Sequence, residues 1–263
     1  MIDPKIQAEL RAKYNPDGSL LRQAQLRMLD MLKCVDMICR KHKIQYWLSS
    51  GTLLGAVRHG GFIPWDDDLD IEMLREDWLK LIPILREELP TQYVLQDDKM
   101  EDFFPARFIK IRDKNSSLLP LKTRNYKYNG LFIDIFQLEK SYRYLYNFVG
   151  TLYYWLCLNC NYNKHEKYCR IIYIIFSKLI FPICRFFTKF KKDDGVLRHA
   201  YGSLFKKERI KSEIFPLVEV EFEGNVFFAP NNVDSYLKRM FGNYMKIPEI
   251  KVKHQPIEYI KDL

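Results

Sequence analysis

In the segment WDDDLDIEM, Trp65 to Met73, four aspartates fall within five positions, and an alternating apolar run begins inside the cluster. Leu69, Ile71 and Met73 alternate with Asp70 and Glu72, so Leu69–Leu74 reads as a strand with one core-facing side and one acidic side. Residues i and i+2 of a strand share a face, roughly 6.5–7 Å apart. Asp68 and Asp70 therefore project together, with Glu72 next in line. A strand of this kind needs a sheet and covering helices on its apolar side, and a compensating cation on the other. A solvated acidic loop with Asp66 or Asp68 as a turn or N-cap residue is the competing reading.

The rest of the first 140 residues supplies that sheet. Met28, Met31, Leu32, Val35, Ile38 and Cys39 follow helical spacing within Leu20–His42. Ile44–Ser49 then reads as a strand, and Ser50-Gly51-Thr52 leads into a short helix, Leu53–Arg58, broken at His59-Gly60-Gly61. Glu76–Leu89 is helical with an interruption expected at Pro83, and Ala106–Arg112 and Gly130–Leu138 are further strands. The alternation predicts an α+β fold, a mixed sheet flanked by helices. Near the end, Val218–Phe222, a turn at Glu223-Gly224-Asn225 and Val226–Ala229 form a strand pair, followed by a helix from about Asn232 to Met240.

Asp134 sits among Phe132, Ile133, Ile135 and Phe136. An aspartate in a strand apolar on both faces is costly to bury unless paired or metal-bound. Beside Leu69–Leu74 it would complete a three-carboxylate site for a hard cation such as Mg²⁺, able to activate a hydroxyl and neutralise a transferring phosphoryl group. Ser50-Gly51-Thr52, between strand and helix, offers backbone N–H groups and hydroxyls to an anion. It is also an ordinary N-cap sequence.

With 42 basic and 33 acidic residues the net charge is +9, which favours an anionic partner. A hydrophobic content of 48% with 15% aromatics is incompatible with a disordered chain. Six cysteines are too few for a disulfide scaffold. The first residues lack the apolar segment of a secretion signal, so the expected location is cytoplasmic.

The segment "SSGTLLGAVRHGGFIPWDDDLDIEM", with "GLFIDIF" and "FEGNVFFAPNNVDSYLKRMFGNYMKIP", resembles the LicD family. The resemblance spans roughly 20–134 and 215–256. It implies a nucleotidyltransferase-type fold and transfer of a phospho-alcohol, choline phosphate or similar, from a CDP-linked donor such as CDP-choline to a cell-surface glycan hydroxyl, releasing CMP. It further implies Asp68, Asp70 and Asp134 as ligands of Mg²⁺ or Mn²⁺, Ser50-Gly51 as the Gly-Ser element of the fold, and Asp66 as an orienting or acceptor-side residue. Lys110 and Arg58 are candidates for the donor pyrophosphate, with Thr52 in the phosphate loop and His254 near donor or acceptor. His59 is a less specific candidate. Gln137 stands where the family has proline, and Phe241-Gly242 where it favours Tyr-Gly; neither change removes a ligand.

Between Tyr142 and Lys192 the chain turns aromatic, apolar and basic, which predicts a helical insertion. The expected organisation is a catalytic core over 1–140, the insertion over 141–210, and a segment over 211–263 completing the core. Ile171–Phe187 contains Lys178, Pro182 and Arg185 and falls short of a clean membrane span. It suits either core packing or peripheral contact with an anionic membrane face, where a lipid-linked acceptor would be met. Cys157, Cys160, His165 and Cys169 miss a zinc-knuckle spacing by one residue and read as buried cysteines. No recognised nucleic-acid-binding module is present. Nucleotidyl transfer from an NTP, with pyrophosphate release, and a non-catalytic membrane-associated binding protein of the same fold are the alternatives.

Overall fold

The chain is described by a computed structural model covering residues 1–101, 103–119, 126–160, 162–249 and the strand at 257–260. In chain order the first elements are α1 (Pro4–Tyr14), α2 (Leu20–Lys41), β1 (Trp47–Leu48), α3 (Ser50–His59), β2 (Asp70–Leu74) and α4 (Arg75–Glu88). They are followed by β3 (Tyr93–Gln96), β4 (Phe108–Asp113), β5 (Ser116–Leu118) and β6 (Phe132–Glu139). A helical hairpin comes next: α5 (Arg143–Tyr153) with a π-helical turn at Tyr154–Leu158, α6 (Tyr162–Ile175), a second π-helical turn at Phe176–Ile180, and α7 (Phe181–Thr188). The chain closes with β7 (Val196–His199), β8 (Arg209–Ile210), α8 (Lys211–Ile214), β9 (Val218–Phe222), β10 (Asn225–Ala229), α9 (Val233–Phe241) and β11 (Ile257–Ile260).

The central sheet runs β1-β2-β6-β4-β3, with β7 added at the end of β6 and β8 beside β7. Only β2 and β6 are parallel within it. Ile71, Met73, Ile109, Ile111, Ile133 and Ile135 share one face and pack with Met28, Leu32 and Val35 of α2 and Leu81 and Leu85 of α4. The period-3.6 stripe of α2 and the period-2 alternation of the strands meet there, which is the α+β fold the sequence implies. Ser19 caps α2 by accepting from Arg22 N–H at 3.2 Å.

Three expectations change in detail. The Ile44–Ser49 strand is paired only at Trp47 and Leu48, because α3 begins at once with Ser50. Pro83 does not interrupt α4. A proline removes one backbone bond and crowds the preceding turn, but Leu81 and Leu85, wholly buried on either side of it, hold the helix against the core. Residues 196–199 and 209–210, between the hairpin and the C-terminal elements, extend the central sheet.

The hairpin has its own core of Tyr146, Val149, Tyr153, Cys157, Cys169, Phe176, Phe181, Cys184 and Tyr201. Cys157 and Cys169 lie buried there, with the Cys157 thiol 3.9 Å from the Cys169 carbonyl, while His165 is exposed. The hairpin is fixed to the sheet by the Arg185 guanidinium, which donates to both oxygens of Glu139 at 2.6 and 3.1 Å. The Tyr153 hydroxyl adds a bond to the Pro105 carbonyl at 2.7 Å.

Gly202 marks a close approach between the chain after the hairpin and the hairpin core. Its φ is +92°, in the left-handed region that side chains rarely adopt, and a Cβ there would lie 2.5 Å from the Phe181 ring and 3.0 Å from Tyr153. Gly202→Ala is therefore expected to lower stability by about 1–3 kcal/mol in urea unfolding, through backbone strain and ring displacement together. An unchanged midpoint would show that the hairpin is not held in this register.

Candidate active site

β2 and β6 run side by side in parallel with Asp70 opposite Asp134, and β4 sets Lys110 opposite Asp134 from the other flank. Residues directly opposite one another in a sheet share a face. Asp70, Asp134 and Lys110 thus form one row across three strands, on the face turned away from the α2–α4 core. The Lys110 ammonium lies 2.5 Å from Asp134 Oδ1 and 3.5 Å from the centre of the Phe132 ring. Asp68 arrives from the loop just before β2, whose first link to β6 is Asp134 N–H donating to the Leu69 carbonyl at 2.8 Å.

The acidic loop is held by its backbone, which leaves its carboxylates toward the site. Gln25 of α2, itself fixed by Asn15, donates to the carbonyls of Ile63 and Asp66 at 3.3 and 2.9 Å. Trp65 packs edge-on against Tyr14 and His59. The Thr52 hydroxyl accepts from Asp70 N–H at 2.8 Å and so joins the start of α3 to the start of β2.

The first turn of α3 faces this loop. The first intrahelical bond, Leu53 N–H to the Ser49 carbonyl, leaves the N–H groups of Ser50, Gly51 and Thr52 without helical partners. Ser50 has φ +47°, a strained conformation for a residue with a side chain. A Cβ on Gly51 would lie 2.7 Å from Asp66 Oδ2, so only glycine permits this approach.

The four carboxyls are electrostatically frustrated. Burial, then Asp68 and Asp67, push Asp66 well above the usual carboxylate range. Burial, then Asp134 and Asp67, raise Asp68; burial, then Asp68, Asp134 and Asp66, raise Asp70 well above it. Burial also raises Asp134, against the opposing pull of Lys110 and Arg112. One lysine in direct contact does not neutralise the group. Among the described residues, no three acidic, histidine or cysteine side chains stand converged as a ready metal cage. The all-oxygen donor set and its uncompensated charge nonetheless fit a hard divalent cation, with Asp68, Asp70 and Asp134 as the available ligands.

Arg58 is placed differently from a free donor-binding residue. It is buried, its Nε donates to His59 Nε2 at 2.8 Å, and its Nη1 donates to the Tyr244 carbonyl at 2.8 Å. Its charge reaches Asp66 through space. His59 completes this strut with Nδ1 2.6 Å from Gln7 Oε1. His254 lies outside the described residues. The sequence reading missed a second set of residues below the site. Glu72, fully buried, accepts from Arg209, from Tyr236 at 2.8 Å and from Trp47 at 3.3 Å. Tyr236 in turn meets the Ser49 hydroxyl at 3.1 Å, next to Ser50. Arg209 lies in the polar run KKERIK, which carries no pattern that would mark it for burial.

Residues 43–156 match the family described as LicD/FKTN/FKRP, nucleotidyltransferase domain. Over those residues the chain is similar to the LicD family. It is 29% identical over 249 residues to the lipopolysaccharide cholinephosphotransferase LicD of Haemophilus influenzae, covering 87% of this chain and 92% of that protein. A stretch of 34 residues is 56% identical to the human ribitol 5-phosphate transferase FKRP, 13% of this chain and 7% of that one. A third relative, mannosyltransferase regulator 4 of Saccharomyces cerevisiae, is 30% identical over 124 residues, 43% of this chain and 10% of the yeast protein.

The His59 strut has a pH signature. Burial, then Arg58, lower its pKa from 6.5 to about 3. The unfolded chain therefore takes up a proton below pH 6.5 that the folded chain refuses, and this contribution to stability is complete above 6.5 and lost toward 3. Between those limits wild type is expected to lose about 1.4 kcal/mol per pH unit relative to His59→Gln, read by chemical unfolding at a series of pH values. Parallel pH profiles would contradict a neutral buried ring.

Proposed function

We propose that the chain transfers a phospho-alcohol from a CDP-linked donor to a hydroxyl of a glycan and releases CMP. The observation that carries this reading is the row of Asp70, Asp134 and Lys110 across three strands, with the N-terminus of α3 and Asp66 beside it. The relatives whose names include cholinephosphotransferase and ribitol 5-phosphate transferase support the phosphotransferase class and a glycan or lipopolysaccharide acceptor. CDP-choline is the first donor to try.

In the reaction, the acceptor oxygen attacks the phosphorus bonded to the alcohol. The bond from that phosphorus to the oxygen bridging it to the CMP phosphate breaks, and CMP leaves with the bond electrons. Free N–H groups of Ser50, Gly51 and Thr52 receive donor phosphate oxygens at a helix N-terminus. Asp66, whose carboxyl is raised by burial and by Asp68 and Asp67 and which lies against the first turn of α3, takes the acceptor hydroxyl proton. Lys110 stands in the row to offset charge developing on the leaving phosphate. A divalent ion, Mg²⁺ or Mn²⁺, held by Asp68, Asp70 and Asp134 would supply charge neutralisation of the transferring group.

The test is Mg²⁺-dependent CMP release from CDP-choline, CDP-ribitol and CDP-glycerol with candidate glycans. Asp70→Asn and Asp134→Asn are each expected to lose activity by roughly 10²–10³-fold or more. Asp70→Asn is also expected to melt higher than wild type in chelator at neutral pH, because a raised carboxylate destabilises the fold once ionised. Full activity in Asp70→Asn would end this reading, and pyrophosphate release from an NTP would replace it with nucleotidyl transfer. Gly51→Ala should retain its fold while losing turnover, since its Cβ displaces the Asp66 carboxylate and leaves the core untouched. Normal turnover in that variant would remove Asp66 from the mechanism.

A further inference from the structure

Each helix of the hairpin carries two apolar stripes, and only one is buried. On α5, Tyr146, Val149 and Tyr153 enter the hairpin core, while Tyr144, Phe148 and Leu152 lie on the other side, exposed. Trp155 continues that outer stripe with 64% of its surface accessible. From α6 to α7 the buried stripe is Cys169, Phe176, Phe181, Cys184 and Thr188. Its one five-residue step, Phe176 to Phe181, spans the second π-helical turn. The wider turn absorbs an extra residue, so the stripe stays on the protein along the whole helix. The outer stripe, with Ile171, Ile175, Leu179, Ile183 and Phe187, is exposed throughout, and Phe190 beyond it is 73% accessible.

An apolar surface of this extent on a charged rim marks a contact with something else. Residues 141–192 contain nine lysines and arginines and one glutamate, Glu166, which pairs with Arg170 at 2.9 Å. Lys164, Lys167, Lys178, Lys189 and Lys192 are all exposed. A second copy of this face would set like charge against like, and nucleic acid would leave the apolar stripes uncovered. An anionic bilayer satisfies both features, with apolar side chains in the acyl boundary and lysines at the headgroups.

By length and composition Lys164–Thr188 could cross a membrane. Its buried stripe, however, runs from Cys169 to Thr188 against Tyr153, Tyr201 and the rest of the hairpin core. A spanning helix would have to give up those contacts, so the geometry favours a helix lying in the membrane plane.

The same surface leads to the carboxylates. Tyr146 of α5 donates to the Phe205 carbonyl at 2.8 Å, and exposed Leu204 and Phe205 extend the apolar side. The Phe205 ring stands 5.4 Å from Phe136, which follows Asp134 by two residues on the same face of β6. We propose that the hairpin lies on an anionic bilayer and presents the carboxylate row to an acceptor anchored in that bilayer. The docking stands on the surface alone; the acceptor class rests on the transferase reading above.

The test is flotation of the full chain with vesicles of phosphatidylcholine and phosphatidylglycerol in equal parts, against phosphatidylcholine alone. Strong binding to the mixed vesicles, weakened by salt, is expected. Lys189→Gln with Lys192→Gln should weaken it roughly 30-fold, at about fivefold per lysine, and Trp155→Ser with Phe187→Ser and Phe190→Ser should abolish it. Asp134→Asn should bind as wild type, so failure of the transferase reading leaves docking intact and separately readable. Where CMP release occurs, the aromatic variant should lose turnover of a vesicle-anchored glycan and keep that of a soluble one. Equal binding to neutral vesicles, resistance to carbonate extraction, or lipid-independent dimerisation removed by the aromatic variant would each overturn the proposal.

Discussion

The carboxylate of Glu72, with no exposed surface, draws its partners from four separate elements. Burial alone would raise its pKa; Arg209 and His199 reverse that and hold it below the usual range. Its partners come from β1 through Trp47, from β8 through Arg209, from β7 through His199 and from α9 through Tyr236. A buried ion pair is weak evidence of net stability, yet stripping one partner leaves an uncompensated charge at a cost of about 3–5 kcal/mol. The pair therefore acts as a registry device. It locks the C-terminal elements to the strand that carries Asp70 two residues earlier, and through Tyr236 and Ser49 to the first turn of α3.

Above that neutralised carboxylate lies a group that is not neutralised. Burial raises Asp66, Asp68, Asp70 and Asp134; Asp68 and Asp67 further raise Asp66, Asp134 and Asp67 raise Asp68, and Asp68, Asp134 and Asp66 raise Asp70, while Asp134 has its ion pair with Lys110. The same sheet face thus holds a satisfied acid and an unsatisfied set, separated by one residue of strand alternation. Strain collects at the same place: Ser50 at positive φ and Gly51 against Asp66. Such local conflicts persist where surrounding structure over-determines them, which Gln25, Thr52 and Trp65 do here.

The hairpin follows a different rule. Its outer stripes face away from the hairpin core, and its inner ones are kept in register with that core by the π-helical turns. The attachment through Arg185 and Glu139 holds it at the end of β6, the strand that bears Asp134. Gln137, where the resembling family has proline, helps here as well, accepting from Arg75 of α4 and donating to the Arg107 carbonyl at 3.3 Å.

The sequence by itself determined α2, α3, β2, α4, β4 and β6 and the pairing of β9 with β10, because period-3.6 and period-2 patterns are local properties of the chain, but not α1, β3 or β5. It also singled out Asp68, Asp70 and Asp134, since acids in apolar strands are conspicuous without any structure. It placed Glu72 correctly on the same face as Asp70 but could not show that its charge is met from within. That depends on Arg209, 137 residues away in a segment whose composition is that of a solvated loop. Likewise Arg58 and His59 stood out in a shared motif, and only the tertiary structure turned them into a strut toward Tyr244 and Gln7. Periodicity reports which face of an element is buried. Which polar groups meet across that burial is decided by long-range packing, and no local pattern encodes it.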